Sequence, residues 1–132
     1  MADHKETKII VKTNDELSDI VEKISSTDAD RVILTFTEPS DLLISSINLT
    51  VLKETAEENN KSLISQIIKN PTGERNSKNA GIETVNTPNN PTEENWNRVE
   101  EELKESIRKR DELLGQRPQL EKDTKKEETG IG

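Results

Sequence analysis

The residue types that perform most enzyme chemistry are scarce in this chain. His4 is the only histidine, and the sequence contains no cysteine and no tyrosine. Because His4 has no cysteine or serine partner at a recognisable catalytic spacing, its use in catalysis or metal binding is disfavoured. The lack of cysteine excludes disulfides, thiol nucleophiles and thiolate metal sites. We therefore expect no catalytic residue, no cofactor and no metal ligand, and hence no enzyme.

The acidic loop Glu38–Asp41 has the position of a ligand site without the usual chemistry. It follows "RVILTFT" (31–37), whose apolar run predicts a buried central strand. Open α/β sheets bind ligands at the carboxyl ends of such strands. The loop has no glycine, however, and Glu38 and Asp41 would repel a phosphate. We favour a turn with Ser40 or Asp41 as a helix N-cap, with a small-nucleotide site at residues 38–41 as an alternative.

Two adjacent serines, Ser45 and Ser46, precede the second predicted helix. They form a candidate regulatory site, because a phosphate is electrostatically favoured at the start of a helix. The simpler interpretation, which we favour, is that one of them caps the helix.

The composition and net charge indicate which partners the protein can bind. Of the 132 residues, 28% are hydrophobic and 35% are charged, and the formal net charge is −8. An acidic chain of this kind is disfavoured as a nucleic-acid binder. The sequence also has no apolar run long enough for an integral membrane segment. We expect a cytoplasmic protein whose partner is another protein or a second copy of itself.

Strand-like and helical patterns alternate between residues 7 and 85. Runs of β-branched and aliphatic residues predict strands at 7–12, 31–37 and 62–68 and a short fourth strand around Ile82 and Val85. Helical spacing predicts intervening helices, the third of them between residues 71 and 80 with Gly81 as its C′ residue. This order predicts an α/β fold with a small, mainly parallel sheet of about four strands and right-handed crossover helices.

The predicted organisation has five parts. They are a disordered N-terminus (1–6), the α/β domain (7–85), a linker (86–92), an amphipathic helix (93–115) capped by Thr92, and a disordered tail (116–132).

The helix at 93–115 offers the most promising partner surface. Its apolar stripe consists of Trp96, Val99, Leu103, Ile107 and Leu114. The stripe can dock back on the α/β domain, or it can form a coiled coil with another copy or a partner, although Arg110 interrupts the heptad. The leading hypothesis is a non-enzymatic interaction or scaffold module, in which this helix mediates self-association or partner docking.

The stretch from residue 28 to residue 85, with "RVILTFTEP" leading through "LLISSINL" to "AGI", carries a resemblance. It resembles an uncharacterised small bacterial α/β module, found as the N-terminal cytoplasmic domain of membrane-anchored surface proteins. This chain departs from that family where a helix and a polar tail follow the module. A weaker similarity is to anti-sigma-factor antagonist (STAS-like) domains, which implies a phosphoregulated domain with Ser45 or Ser46 at the regulatory position.

Overall fold

The computed structural model describes residues 4–114. Residues 1–3 and the tail predicted to be disordered, 116–132, lie outside the described residues. Within the described part of the chain, no helix is both long enough and apolar enough to cross a membrane.

Strands and helices alternate along the chain, as the sequence patterns predicted. The elements are β1 (Glu6–Val11), α1 (Leu17–Ser26), β2 (Arg31–Phe36), a 3-10 turn (Asp41–Leu43), α2 (Ser46–Glu58), β3 (Ser62–Ile67), α3 (Pro71–Asn79), β4 (Glu83–Val85) and α4 (Glu93–Ile131), of which α4 is described as far as Leu114. The predicted α/β class and the order of its elements are confirmed.

The four strands form one all-parallel sheet in the order β1-β2-β3-β4. Since the order never reverses, right-handed crossovers place every connecting helix on the same face of the sheet. Accordingly α1 packs on α2, and α2 packs on α3. Doubly wound sheets bind ligands in the crevice where the strand order reverses, and this sheet has no such reversal.

The main core lies between the sheet and helices α1 to α3. Alternate residues of β2, namely Val32, Leu34 and Phe36, point into this core. Ile33 belongs instead to a second apolar cluster on the opposite face. Every residue of β2 and β3 is buried, as expected for strands covered on both sides.

Gly81 ends α3 in the way its sequence position predicted. Its φ of 81° is in the left-handed region that glycine adopts without strain. The N–H of Gly81 donates to the Lys78 carbonyl at 2.9 Å, and the N–H of Ile82 donates to the Ser77 carbonyl at 3.1 Å. These two bonds form a Schellman motif, which satisfies the last carbonyls of the helix.

The segment before β1 is held against the start of β2. The N–H of Lys5 donates to Asp30 Oδ1 at 2.6 Å, and His4 Nδ1 lies 2.6 Å from Asp30 Oδ2. Burial alone would raise the pKa of Asp30, but hydrogen bonds from His4 and Lys5 outweigh it and lower that pKa. Residues 4–6 of the predicted disordered N-terminus thus contact the domain or belong to β1.

Candidate functional site

Helix α4 docks on the sheet face that α1 to α3 leave uncovered. The Trp96 side chain is only 1% exposed and packs in a cluster with Ile33 of β2 and Ile64 of β3. Val85 and Val99 pack against the same cluster. Of the two interpretations of the apolar stripe, docking on its own domain therefore holds for the first half of the helix.

The Arg31 side chain contacts the beginning of α4. Its guanidinium carbon lies 5.1 Å from the centroid of the Trp96 ring, within cation–π range. Arg31 Nη1 donates to Glu93 Oε2 at 3.0 Å, and Nε donates to Glu100 Oε2 at 3.0 Å. The hydrogen bond from Arg31 outweighs desolvation and lowers the pKa of Glu93. The buried Arg31 guanidinium is thereby paired with two carboxylates of α4 as well as with the aromatic ring.

A second polar contact ties α4 to β4. Glu83 accepts hydrogen bonds from Arg98 Nη2 at 2.6 Å and from Asn95 Nδ2 at 2.8 Å. The predicted cap of the helix is also present, because the Asn95 N–H donates to Thr92 Oγ1 at 3.2 Å while the Thr92 N–H donates to Asn95 Oδ1 at 2.8 Å. These bonds determine where α4 begins and how it enters the interface.

The linker before α4 is anchored to the sheet. Gln66 Nε2 donates to the Thr87 carbonyl at 2.7 Å and to the Asn89 carbonyl at 3.0 Å. Gln66 Oε1 accepts from Thr35 Oγ1 at 2.9 Å. The sequence signal for this anchor is a glutamine within the buried strand "SLISQI", since a buried amide needs partners.

Two polar residues of α4 that the apolar pattern did not identify hold it against α2. Ser106 Oγ donates to Glu57 Oε2 at 3.1 Å. Arg110 donates from Nη1 to the Glu57 carbonyl at 3.2 Å and from Nη2 to Asn60 Oδ1 at 3.0 Å. The free carbonyl groups at the C-terminal end of α2 favour a positive charge at this point. Arg110, which interrupts the heptad, is therefore a capping residue for α2.

The predicted interface residues divide into two groups. Trp96 is buried, and Val99 and Leu103 are half-buried against the domain. Ile107 is half-buried, and Leu114 is 56% exposed. Leu113, which the stripe did not include, is 67% exposed. The apolar side chains that remain accessible therefore lie in the second half of the described helix.

A groove of about 280 Å³ lies between the end of α2 and this second half of α4, beside the contacts made by Ser106 and Arg110. Its lining residues are Glu54, Glu57, Glu58, Ser106, Ile107 and Arg110. We call it the α2–α4 groove. It combines an aliphatic side chain with a run of carboxylates.

At the carboxyl edge of the sheet, the loop Glu38–Asp41 is held by hydrogen bonds to Thr13 and by its own helix cap. Glu38 Oε1 accepts from the Thr13 N–H at 2.7 Å and from Thr13 Oγ1 at 2.9 Å. These bonds lower the pKa of Glu38. Ser40 Oγ accepts from the Leu42 N–H at 3.2 Å, so the predicted N-cap is present, on the 3-10 turn. The polar groups of Glu38 and Ser40 thus serve the loop itself.

A shallow depression of about 240 Å³ lies beside this loop. Its lining residues are Thr13, Pro39, Ser40, Asp41, Leu43, Ile44, Asn70 and Thr72. Two isoleucines at this edge, Ile44 and Ile47, are 70% and 73% exposed. Among residues 4–114, no group of three or more histidine, aspartate or glutamate side chains is placed to hold a metal ion.

The two candidate regulatory serines begin α2. Ser45 Oγ accepts from the Ile47 N–H at 3.1 Å, which makes Ser45 the N-cap of α2. Ser46 is the first residue of the helix, and its carbonyl accepts from Thr50 Oγ1 at 2.8 Å. Both serines are half-buried.

No protein-family model matches this chain, and neither a curated protein nor a solved structure shows significant similarity to it. The resemblances to the bacterial surface-protein module and to STAS-like domains therefore stay predictions.

Proposed function

We propose that this protein is a non-enzymatic interaction module, with α4 as the element that mediates self-association or partner docking. One observation carries the proposal. The first half of α4 is fixed to the sheet through Trp96, whereas Leu113 and Leu114 project into solvent from the same helix. A firmly held helix with accessible aliphatic side chains loses little conformational entropy when a partner covers it.

The chemistry of the remaining surface supports the same proposal. At the carboxyl edge, Glu38 is bonded to Thr13 of the neighbouring loop, and Ser40 caps the 3-10 turn. In the described part of the chain, every buried side-chain nitrogen and oxygen has a hydrogen-bond partner. Exposed isoleucines at Ile44 and Ile47 add a second apolar patch at the beginning of α2.

The test is the double variant Leu113→Gln/Leu114→Gln in the full chain. We expect loss of self-association in sedimentation velocity, or at least a tenfold loss of specific crosslinked partner in quantitative mass spectrometry from the native host. The matched control is Glu101→Gln/Lys104→Gln, two exposed positions on the same helix. If the wild-type chain is monomeric and its crosslinked proteins equal those of the double variant, the proposal is wrong.

Point variants are needed because truncation disturbs the fold. A chain ending at residue 88 would lack Trp96 and would uncover Ile33 and Ile64. Any association of such a fragment would then report the uncovered sheet face rather than the surface of the native protein.

Phosphoregulation at α2 is a second proposal, favoured by the position of Ser45. This N-cap lies between the two exposed isoleucines, Ile44 and Ile47. A phosphate there would be favoured by the helix N-terminus and would place roughly two negative charges within an apolar patch. Intact-mass measurement of protein from its native host tests this, with Ser45→Ala and Ser46→Ala to locate the site. Protein that stays unmodified across growth conditions would contradict it.

A further inference from the structure

The α2–α4 groove combines an apolar anchor with uncompensated negative charge. Ile107 forms its aliphatic part, and Leu114 lies on the same helix face because it follows seven residues later. Glu54 and Glu58 are exposed on the opposite wall, on α2. Neither carboxylate forms an ion pair within residues 4–114, whereas Glu57 accepts from Ser106.

Arg110, the one cationic residue among the groove-lining residues, already has hydrogen-bond partners on α2. Arg110 donates to the Glu57 carbonyl and to Asn60 Oδ1, so it serves the end of α2. Within residues 4–114, Arg110 forms no ion pair with Glu54 or Glu58. On α4, exposed Asp111 follows Ile107 by four residues and exposed Lys104 precedes it by three, so their charges offset each other and the excess negative charge of the groove lies on α2.

We infer that the α2–α4 groove binds a basic segment of another protein. An aliphatic side chain of that segment packs over Ile107 and Leu114, and flanking lysine or arginine side chains pair with Glu54 and Glu58. The inference rests on the proposed function, since it names the class of partner for the same half of α4. Charge complementarity gives this contact its orientation and its rate of association.

Charge also selects this partner over a second copy of the chain. The protein carries a net charge of −8, and two copies meeting at their grooves would bring the same carboxylates together. Like charges placed opposite each other oppose association. A basic segment removes that repulsion and covers the aliphatic surface at the same time.

The experiment uses the full chain and two short fluorescent peptides. One peptide alternates leucine and lysine on one helical face, and the other has glutamate in place of each lysine. Fluorescence anisotropy measures their affinities at low and physiological salt, because exposed charge pairs weaken as salt rises. We expect binding of the lysine peptide alone, with weaker binding at the higher salt concentration.

Charge-reversal variants separate groove binding from general attraction to an acidic protein. Glu54→Lys/Glu58→Lys should weaken binding of the lysine peptide about tenfold. Glu22→Lys/Glu101→Lys changes the net charge equally at exposed positions outside the groove and should change the affinity less than about twofold. Equal effects of the two double variants, equal binding of both peptides, or no binding would overturn the inference.

Failure of this inference can be distinguished from failure of the proposed function. If Leu113→Gln/Leu114→Gln abolishes association but Glu54→Lys/Glu58→Lys does not, α4 mediates binding and the basic partner is wrong. The groove would instead bind a second copy of the chain if the protein dimerises independently of salt and Ile107→Gln abolishes the dimer. That result would overturn the inference of a basic partner segment.

Discussion

The guanidinium carbon of Arg31 lies 5.1 Å from the centroid of the Trp96 ring, which joins the first residue of β2 to the beginning of α4. Glu93 and Glu100, both on α4, accept hydrogen bonds from the same guanidinium. The pair thus connects a buried strand with the helix that covers it. Together with the bonds from Ser106 and Arg110 to α2, this contact fixes the position of α4.

Removal of the Trp96 ring should destabilise the whole domain. Trp96→Ala leaves a cavity beside Ile33 and Ile64, and we expect the free energy of unfolding to fall by about 3–5 kcal/mol. Urea denaturation followed by far-UV circular dichroism measures this, because the variant has no tryptophan left for fluorescence. Trp96→Phe, which retains an aromatic ring, should lose less. A loss below about 1 kcal/mol for the alanine variant would mean that α4 is not docked in solution.

Arg110→Leu distinguishes helix capping from a coiled coil. Leucine completes the heptad that Arg110 interrupts, so a coiled coil would become more stable and more oligomeric. Capping of α2 requires the opposite result. The variant should lose about 1 kcal/mol of unfolding free energy, since the bonds to Glu57 and Asn60 disappear. Chemical denaturation and light scattering measure both effects, with Lys109→Leu as the exposed control.

Acid should weaken the contact between α4 and β4. Burial alone would raise the pKa of Glu83, but hydrogen bonds from Arg98 and Asn95 outweigh it and hold the pKa below the usual 4.5. A lowered pKa gives stabilisation that is complete above the unfolded-state value and is lost as the pH falls through the folded-state value.

The corresponding variant is Glu83→Gln. Its free energy of unfolding should depend less steeply on pH than that of the wild type between about pH 5 and about pH 3. Glu101→Gln removes the same charge without removing a bond to Arg98 and serves as the control. Parallel pH profiles for wild type and Glu83→Gln would contradict the assignment.

Gly81→Ala tests the left-handed end of α3. An alanine at a φ of 81° is strained, and its Cβ would lie 3.0 Å from Lys53 Nζ. We expect a loss of about 1–2 kcal/mol in unfolding free energy, measured by urea denaturation. Gly81→Asn should lose less, because asparagine tolerates this conformation better. Equal stability of the alanine variant and the wild type would mean that this helix end differs in solution.

Nucleotides should leave the melting temperature unchanged. The sheet has no reversal of strand order, and the carboxylate of Glu38, the first residue of the loop, is bonded to Thr13. Thermal denaturation with a panel of nucleotides, with and without Mg²⁺, measures this. A reproducible upward shift that Glu38→Gln alters would support the small-nucleotide alternative.

Local signals predicted the elements of the fold well. The buried strand β2 follows from the aliphatic run Val32–Leu34, and the end of α3 follows from Gly81. These features depend on residues close together in the sequence. The cap formed by Thr92 and Asn95 is equally local.

The candidate site was predicted only in part, because its contacts join distant parts of the chain. A stripe defined by hydrophobicity included Ile107 and Leu114 but passed over Ser106 and Arg110, whose partners lie on α2. Nothing near Arg110 in the sequence indicates that α2 ends beside it. Likewise, Gln66 holds the linker through carbonyls that come about twenty residues later.

The docking of α4 also has a consequence for biosynthesis. A ribosome delivers all four strands before it delivers Trp96, so the residue that covers Ile33 and Ile64 arrives last. Until α4 emerges, those aliphatic side chains lack their cover, and transiently exposed apolar surface of this kind makes nascent chains prone to aggregation.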